Sequence, residues 1–122
     1  LAPGDHGTTY GGNPFVCAAV SKVFDLYEKE QIVDHVKKVG GYLEQKLNAL
    51  VEKYDFLKER RGKGLIQGLE VEGRPIGEIV NRGLEEGLII ITAGSNVLRF
   101  VPPLVVTEAD VDEMIVKLEK CF

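Results

Sequence analysis

The period of the apolar residues changes along this chain, and that change limits the folds available to it. From Ile32 to Tyr54, apolar side chains recur at helical spacing over about six turns. Four later segments read instead as strands: residues 56–61, 65–71, 88–92 and 97–101. Several of these strands follow one another across short turns, which favours antiparallel pairing. The pattern therefore predicts an α+β domain with a mainly antiparallel sheet and helices packed on one face.

A first helix is predicted just after the N-terminal loop. Asn13 suits the N-cap, and Pro14 suits the first helical position, where no N–H is needed. A polar run at residues 28–31 is expected to bend or interrupt the helix before the long stripe begins. The apolar stripe of this first helix, which we expect to be buried, comprises Val16, Val20, Val23, Phe24 and Tyr27.

Three further local features carry predictions. Gly40 and Gly41 interrupt the long helical stripe and indicate either a close helix crossing or a small kink. The continuous apolar run 88–92 is typical of a strand buried on both faces. Thr107, followed three positions later by Asp110, predicts a capping box at the start of the last helix.

The loop before the first helix has an unusual composition. Residues 4–14 read GDHGTTYGGNP, with four glycines and two adjacent threonines. Glycines let a backbone approach a ligand closely, and hydroxyls with free amides can hold a phosphate near a helix N-terminus. The spacing matches neither the Rossmann nor the Walker pattern. Taken alone, such a loop is more often a flexible connector with an ordinary N-cap.

Composition excludes several classes of function. The chain has 122 residues, 44% of them hydrophobic, and a formal charge of −4. An acidic net charge argues against a nucleic-acid surface, and no apolar run approaches the length that crosses a bilayer, so neither partner is expected. Cys17 and Cys121 lie far apart, in no metal-binding or redox spacing. They predict reduced thiols in a cytoplasmic protein without a metal site.

Three segments together carry a family resemblance. They are HGTTYGGNP at residues 6–14, RGKGLIQGLE at 61–70 and LRFVPPL at 98–104. In this order they resemble the class III pyridoxal-phosphate aminotransferases, with the acetylornithine and ornithine enzymes as the nearest members. The resemblance covers all 122 residues. It implies pyridoxal 5'-phosphate as cofactor, amino acids and 2-oxo acids as substrates, and a homodimer.

The resemblance also implies an organisation of the chain. Residues 1–13 would be an active-site and dimer-interface loop, residues 14–30 a linking helix, and residues 31–122 the small C-terminal domain of a fold-type I aminotransferase. The chain begins after the position of the family's Schiff-base lysine. No catalytic residue is therefore expected within it, and the chain alone is expected to be inactive.

Three binding residues carry over from the family. Thr9 corresponds to the hydroxyl residue that binds the cofactor phosphate of the partner subunit, and Thr8 to a substrate contact. Many relatives have Ser-Thr here, which retains the hydroxyl. Arg99 corresponds to an arginine that binds a substrate carboxylate. The alternatives are that both threonines are solvated loop residues, and that Arg99 snorkels at a sheet edge or forms an ion pair within the domain.

The residues themselves support part of the Arg99 expectation. Alternation along a strand places Arg99 opposite Leu98 and Phe100. A guanidinium in an apolar strand needs a partner, and its planar fork suits a carboxylate. For the whole protein the resemblance implies an acetylornithine aminotransferase. Ornithine, succinylornithine and 4-aminobutyrate aminotransferases stay open, as does a non-catalytic interaction or dimerisation module on the same scaffold.

Overall fold

A computed structural model describes residues 2–122, which fall into two compact units. The first unit ends at Val33 and contains helix α1, Pro14–Lys29. The second unit runs from Asp34 to Phe122. The helices after α1 are α2 (Ile32–Lys53), α3 (Ile76–Glu85) and α4 (Glu108–Cys121). The strands are β1 (Leu57–Lys63), β2 (Ile66–Val71), β3 (Ile91–Ala93) and β4 (Val97–Phe100). No helix within residues 2–122 has the length and apolar character needed to cross a membrane.

The four strands form one sheet in the order β1-β2-β4-β3, and every neighbouring pair is antiparallel. The short turn between β1 and β2 and the turn at residues 94–96 close the two hairpins, as the sequence predicts. Strand β4 lies inside the sheet, between β2 and β3, while β3 forms an edge. The predicted α+β class is confirmed.

Alternation along the strands divides the sheet into a covered and an open face. Leu69 and Leu98 are cross-strand partners and are fully buried on the covered face, where they join a core cluster with apolar residues of α2, α3 and α4. On the open face, a cross-strand row runs from Arg61 through Gly68 and Arg99 to Ile91. Both arginines and Ile91 in this row are exposed. Within the second unit, the helices therefore cover one face only, as predicted.

The prediction for the apolar run 88–92 is wrong in extent and in burial. The strand is Ile91–Ala93, and the residues before it form no ladder. Ile90 is buried, whereas the Ile89 side chain is 80% exposed and Ile91 is 45% exposed. A short edge strand on a sheet with one open face cannot bury an apolar run on both faces, so only the residue turned toward the helices is covered.

Helix α1 begins as predicted but does not bury its stripe. Asn13 is the N-cap, and its side-chain oxygen accepts a hydrogen bond of 3.1 Å from the Val16 amide. The helix ends at Lys29, within the predicted polar break, and Gln31 then takes a left-handed conformation with φ of 49°. No residue of α1 is buried. The expected burial of the stripe is wrong because burial requires a second layer, and α1 is the only helix within residues 2–31.

The glycine pair in α2 marks a close approach. Helix α2 is continuous through Gly40, and a Cβ added there would lie 2.9 Å from the backbone Cα of Gly64, in the turn between β1 and β2. A Cβ at Gly41 would meet nothing within 4 Å. The glycine therefore marks a close approach of the helix to the turn between two strands, rather than the predicted crossing with a second helix.

We expect opposite effects from two neighbouring alanine substitutions. Gly40→Ala should lower the free energy of unfolding by about 1–3 kcal/mol, because the added carbon meets backbone that cannot rotate away. Gly41→Ala should raise it by up to about 1 kcal/mol, since alanine is the better helix former and the position is open. Urea denaturation of the two variants and the parent chain measures both. Equal effects from the two substitutions would contradict the proposed contact with Gly64.

Helix α4 begins at the predicted capping box, and its exposed carboxylates pair with α2. The Thr107 hydroxyl accepts from the Asp110 amide, and the Asp110 carboxylate accepts from the Thr107 amide. Further along, Lys46 lies 2.7 Å from Asp112, and Lys53 lies 2.5 Å from Glu119. Both lysines are partly exposed and join the two helices.

These bridges predict a loss of stability in acid. The hydrogen bond from Lys46, with a second from Tyr42, lowers the pKa of Asp112, and Lys53 does the same for Glu119. A carboxyl group whose pKa is lower in the folded state stabilises the fold at neutral pH, and that contribution is lost as the pH falls through the folded-state pKa. The melting temperature should therefore fall once the pH passes below the ordinary pKa values of the two groups, 4.5 for the glutamate and 3.8 for the aspartate. In the variant Asp112→Asn/Glu119→Gln, the drop between about pH 6 and about pH 3 should be smaller. Parallel pH profiles would contradict this.

Candidate functional site

The N-terminal loop is held by hydrogen bonds at its two ends. Near its start, the Asp5 carboxylate accepts from the Ala2 amide at 2.6 Å, and the Asp5 amide donates to the Ala2 carbonyl. At its end, the Asn13 side chain donates to the Tyr10 carbonyl at 2.6 Å while its oxygen caps α1. One asparagine thus joins the loop to the helix N-terminus. The residues between these two anchors are exposed.

Thr8 and Thr9 lie in this exposed middle section. Neither hydroxyl makes a hydrogen bond with any residue from 2 to 122, so both are available to a ligand. A Cβ added at Gly11 would come within 2.3 Å of the Thr8 methyl group, so the bare Gly11 backbone lies directly against Thr8. Gly12 adopts a left-handed φ of 72°, a backbone conformation that is strained for a residue with a side chain. Two free hydroxyls and a bare, turning backbone are a donor set that fits a phosphate group.

Arg99 lies on the open face of the inner strand β4, with buried Leu98 and Phe100 on either side of it in sequence. Its cross-strand neighbours are Gly68, which has no side chain, and Ile91. Each of the other four arginines in residues 2–122 has a hydrogen-bond partner, whereas Arg99 has neither a hydrogen bond nor an ion pair in this part of the chain. The two alternative interpretations, a sheet-edge position and an ion pair within the domain, are therefore not observed.

A cavity of about 400 Å³ adjoins Arg99, at the end of β4 and the start of α4. Its walls are mostly apolar, and its two charged residues are Arg99 and Asp110. The Thr107 side chain and then its backbone amide donate to Asp110, which lowers the pKa of this carboxyl group and commits it to the helix cap. Arg99 is consequently the one charged group of the cavity that is free to bind a ligand, and the ligand that it suits is an anion such as a carboxylate.

Two polar contacts in the second unit have no counterpart in the sequence analysis. Gln67 is buried among apolar residues, where it accepts from Arg60 at 2.9 Å and donates to the Gly64 carbonyl at 2.7 Å. His35 on α2 bonds the carbonyl of Val106 at 2.8 Å, across 71 positions of the chain. Helical and strand periodicity carry no signal for either contact.

The predicted binding residues are thus distributed over both units. Thr8 and Thr9 are adjacent in the first unit, and Arg99 lies in the second. Within its own unit, each occupies an exposed position without a competing partner. Tyr10, which follows the two threonines in the loop, is 82% exposed.

Comparison with known proteins places these features in a family. The family model described as aminotransferase class-III matches residues 1–122. The acetylornithine aminotransferase of Gloeobacter violaceus is 44% identical over 121 residues, which make up 98% of this chain and 30% of that protein. The crystal structure of acetylornithine aminotransferase from Elizabethkingia anophelis matches with a TM-score of 0.86 at 30% identity, over 99% of this chain and 31% of that one. An amine transaminase from an uncultivated Pseudomonas species, solved in its PLP-bound form, matches with a TM-score of 0.85 at 32% identity, over 97% of this chain and 29% of that one.

The chain belongs to the class III aminotransferases, and the resemblance carried by its three motifs is confirmed. Within that family it is similar to acetylornithine aminotransferases, at 40–48% identity. It spans about 30% of the length of the relatives and structures named above. Membership implies pyridoxal phosphate as the family's cofactor and amino and oxo acids as the class of substrate.

Proposed function

We propose that this chain is the C-terminal part of a cytoplasmic, homodimeric aminotransferase that exchanges the amino group of N-acetylornithine with 2-oxoglutarate, in arginine biosynthesis. The observation that carries the proposal is the unpaired Arg99 guanidinium at a mostly apolar cavity, in a chain of this family. Similarity to acetylornithine aminotransferases supports the choice of amine. The chain alone would be inactive, because no residue in it corresponds to the family's cofactor-binding lysine.

In this proposal the chain is organised as its sequence suggests. Residues 1–13 act as an active-site and dimer-interface loop, residues 14–30 as a linking helix, and residues 31–122 as the small domain. Within the loop, Thr9 would hold the phosphate of the cofactor through its hydroxyl and the neighbouring backbone amides. Its free hydroxyl and the left-handed backbone at Gly12 support this role. Pyridoxal phosphate, when bound, supplies the electron sink for exchange of the amino group.

In this proposal, Arg99 binds the carboxylate of the substrate and orients it. A planar guanidinium that forms two parallel hydrogen bonds fixes both the position and the plane of a carboxylate. Each of the two substrates carries an α-carboxylate, so the same side chain can serve both halves of the exchange. The mostly apolar walls beside it offer few competing hydrogen-bond partners. Thr8, adjacent to Thr9 in the loop, would contact the remainder of the substrate.

A second candidate function follows from helix α1. Its apolar side chains are exposed, with Phe24 of the stripe at 66% and the neighbouring Phe15 at 84%, and an exposed apolar surface of this kind is typical of an interaction site. The chain would then be a non-catalytic interaction or dimerisation module on the same scaffold. Among enzymes, ornithine, succinylornithine and 4-aminobutyrate aminotransferases are the alternatives.

One experiment separates these candidates. The protein, extended to the natural start of its reading frame, is loaded with pyridoxal phosphate and mixed with each of the four amines in turn. Conversion of the cofactor to its amino form is followed by absorbance. We expect N-acetylornithine to react fastest and 2-oxoglutarate to reverse the change. A faster reaction with another amine would reassign the substrate, and no reaction with any of them would favour the module.

A further inference from the structure

The segment between β4 and α4 forms one wall of the cavity beside Arg99. Residues 101–106 read VPPLVV, and four of them line the cavity: Val101, Pro102, Pro103 and Val106. Arg99 stands two positions before this segment on β4. The position of the wall therefore determines the room available to a molecule that binds Arg99.

The wall has few hydrogen bonds to hold it. Pro102 and Pro103 have no amide hydrogen and cannot donate to a neighbouring strand. Within residues 2–122 the segment takes part in two hydrogen bonds. One is internal, from the Val106 amide to the Pro103 carbonyl at 3.0 Å. The other comes from outside the segment and joins the Val106 carbonyl to Nε2 of His35 on α2, at 2.8 Å.

The chemistry of this contact fixes the direction of the bond. A backbone carbonyl can only accept, so Nε2 of His35 must carry the hydrogen and donate it. Val106 is buried and belongs to the core cluster, while the His35 ring is half-buried. A partly buried bond between a regular helix and a proline-rich segment holds the segment at a fixed distance from the helix. We propose that His35 is a positioning residue, which sets the wall of the Arg99 cavity and through it the affinity for a dicarboxylate; this rests on the proposed carboxylate-binding role of Arg99.

Two substitutions separate the hydrogen bond from the bulk of the ring. Glutamine carries an amide nitrogen at about the reach of Nε2 and retains a donor, whereas leucine fills similar space without one. His35→Leu should weaken the binding of a dicarboxylate about fivefold, which is the effect of one ordinary hydrogen bond. The affinity of His35→Gln should stay within about twofold of that of the parent. Ile79→Val is the control for a purely structural loss, because Ile79 is buried on α3 outside this cavity.

The test is calorimetric titration of the full-length protein with glutarate, which carries two carboxylates and does not react. Loss of affinity in His35→Leu, retention in His35→Gln and no change in Ile79→Val would support the proposal. Equal affinity of the parent and His35→Leu, or equal loss in the leucine and glutamine variants, would overturn it. The variant Arg99→Gln distinguishes failure of the proposed role of Arg99 from failure of the proposed role of His35. Normal glutarate binding by this variant would overturn the carboxylate-binding role of Arg99 and, with it, the role of His35. Loss in Arg99→Gln alone removes only the role of His35.

Discussion

We expect replacement of Arg99 with glutamine to lower kcat/KM of the full-length protein for the proposed carboxylate substrates about 100-fold, or roughly 3 kcal/mol of transition-state binding. The reason is the loss of two charge-assisted hydrogen bonds in a site where the guanidinium has no other partner. Glutamine has a shorter side chain that keeps one amide donor group and removes the charge. Steady-state kinetics with the amino donor and the oxo acid measures the effect.

Two control variants make this result specific. Arg99→Lys keeps the charge without the planar fork and should recover only part of the loss. Lys63→Gln removes a cation from an exposed position on β1 and should leave kcat/KM unchanged. If Lys63→Gln lost as much activity as Arg99→Gln, the effect would come from the net charge of the domain and the assignment of Arg99 would be wrong.

The second large effect is expected at Thr9. Thr9→Val keeps the shape of the side chain and removes the hydroxyl, so the affinity of the full-length protein for pyridoxal phosphate should fall about 10- to 100-fold, the effect of one hydrogen bond to a charged group. Fluorescence titration with the cofactor measures the dissociation constant. Thr9→Ser retains the hydroxyl and should bind nearly as well as the parent.

The neighbouring threonine provides the contrast. Thr8→Val should raise KM for the amino donor while leaving cofactor affinity within about twofold, because its hydroxyl is assigned to the substrate. If Thr8→Val lowered the cofactor affinity and Thr9→Val raised KM for the amino donor, the roles of the two threonines would be reversed. Unchanged cofactor affinity in Thr9→Val would favour the interpretation of both as solvated loop residues.

Most of the fold could be predicted because its signals are local. Asn13 and Thr107 cap the helices that follow them with their own side chains, so the sequence around each is sufficient to place the helix start. Burial is different, because it depends on what lies opposite. The run 88–92 and the stripe of α1 have the composition of buried elements. They are largely exposed because β3 is a short edge strand and α1 has no second layer within its unit.

In the candidate site, too, some features follow from local sequence and others depend on the whole fold. The direction of the Arg99 side chain follows from strand alternation and could be predicted from Leu98 and Phe100 alone. The absence of a partner for Arg99 could not be predicted, because it depends on which carboxylates the folded sheet brings near this side chain. The contact between His35 and Val106 joins positions 71 residues apart and leaves no pattern in either local sequence.

The central claim, that this chain completes a pyridoxal-phosphate enzyme, is tested most directly by locating the lysine that binds the cofactor. The protein extended to its natural start is incubated with pyridoxal phosphate, reduced with borohydride and digested, and the labelled peptide is identified by mass. The account predicts a single labelled lysine a short distance before Leu1 and no specific label among residues 1–122. A folded protein without a specific label, or with the label on a lysine inside this chain, would contradict it.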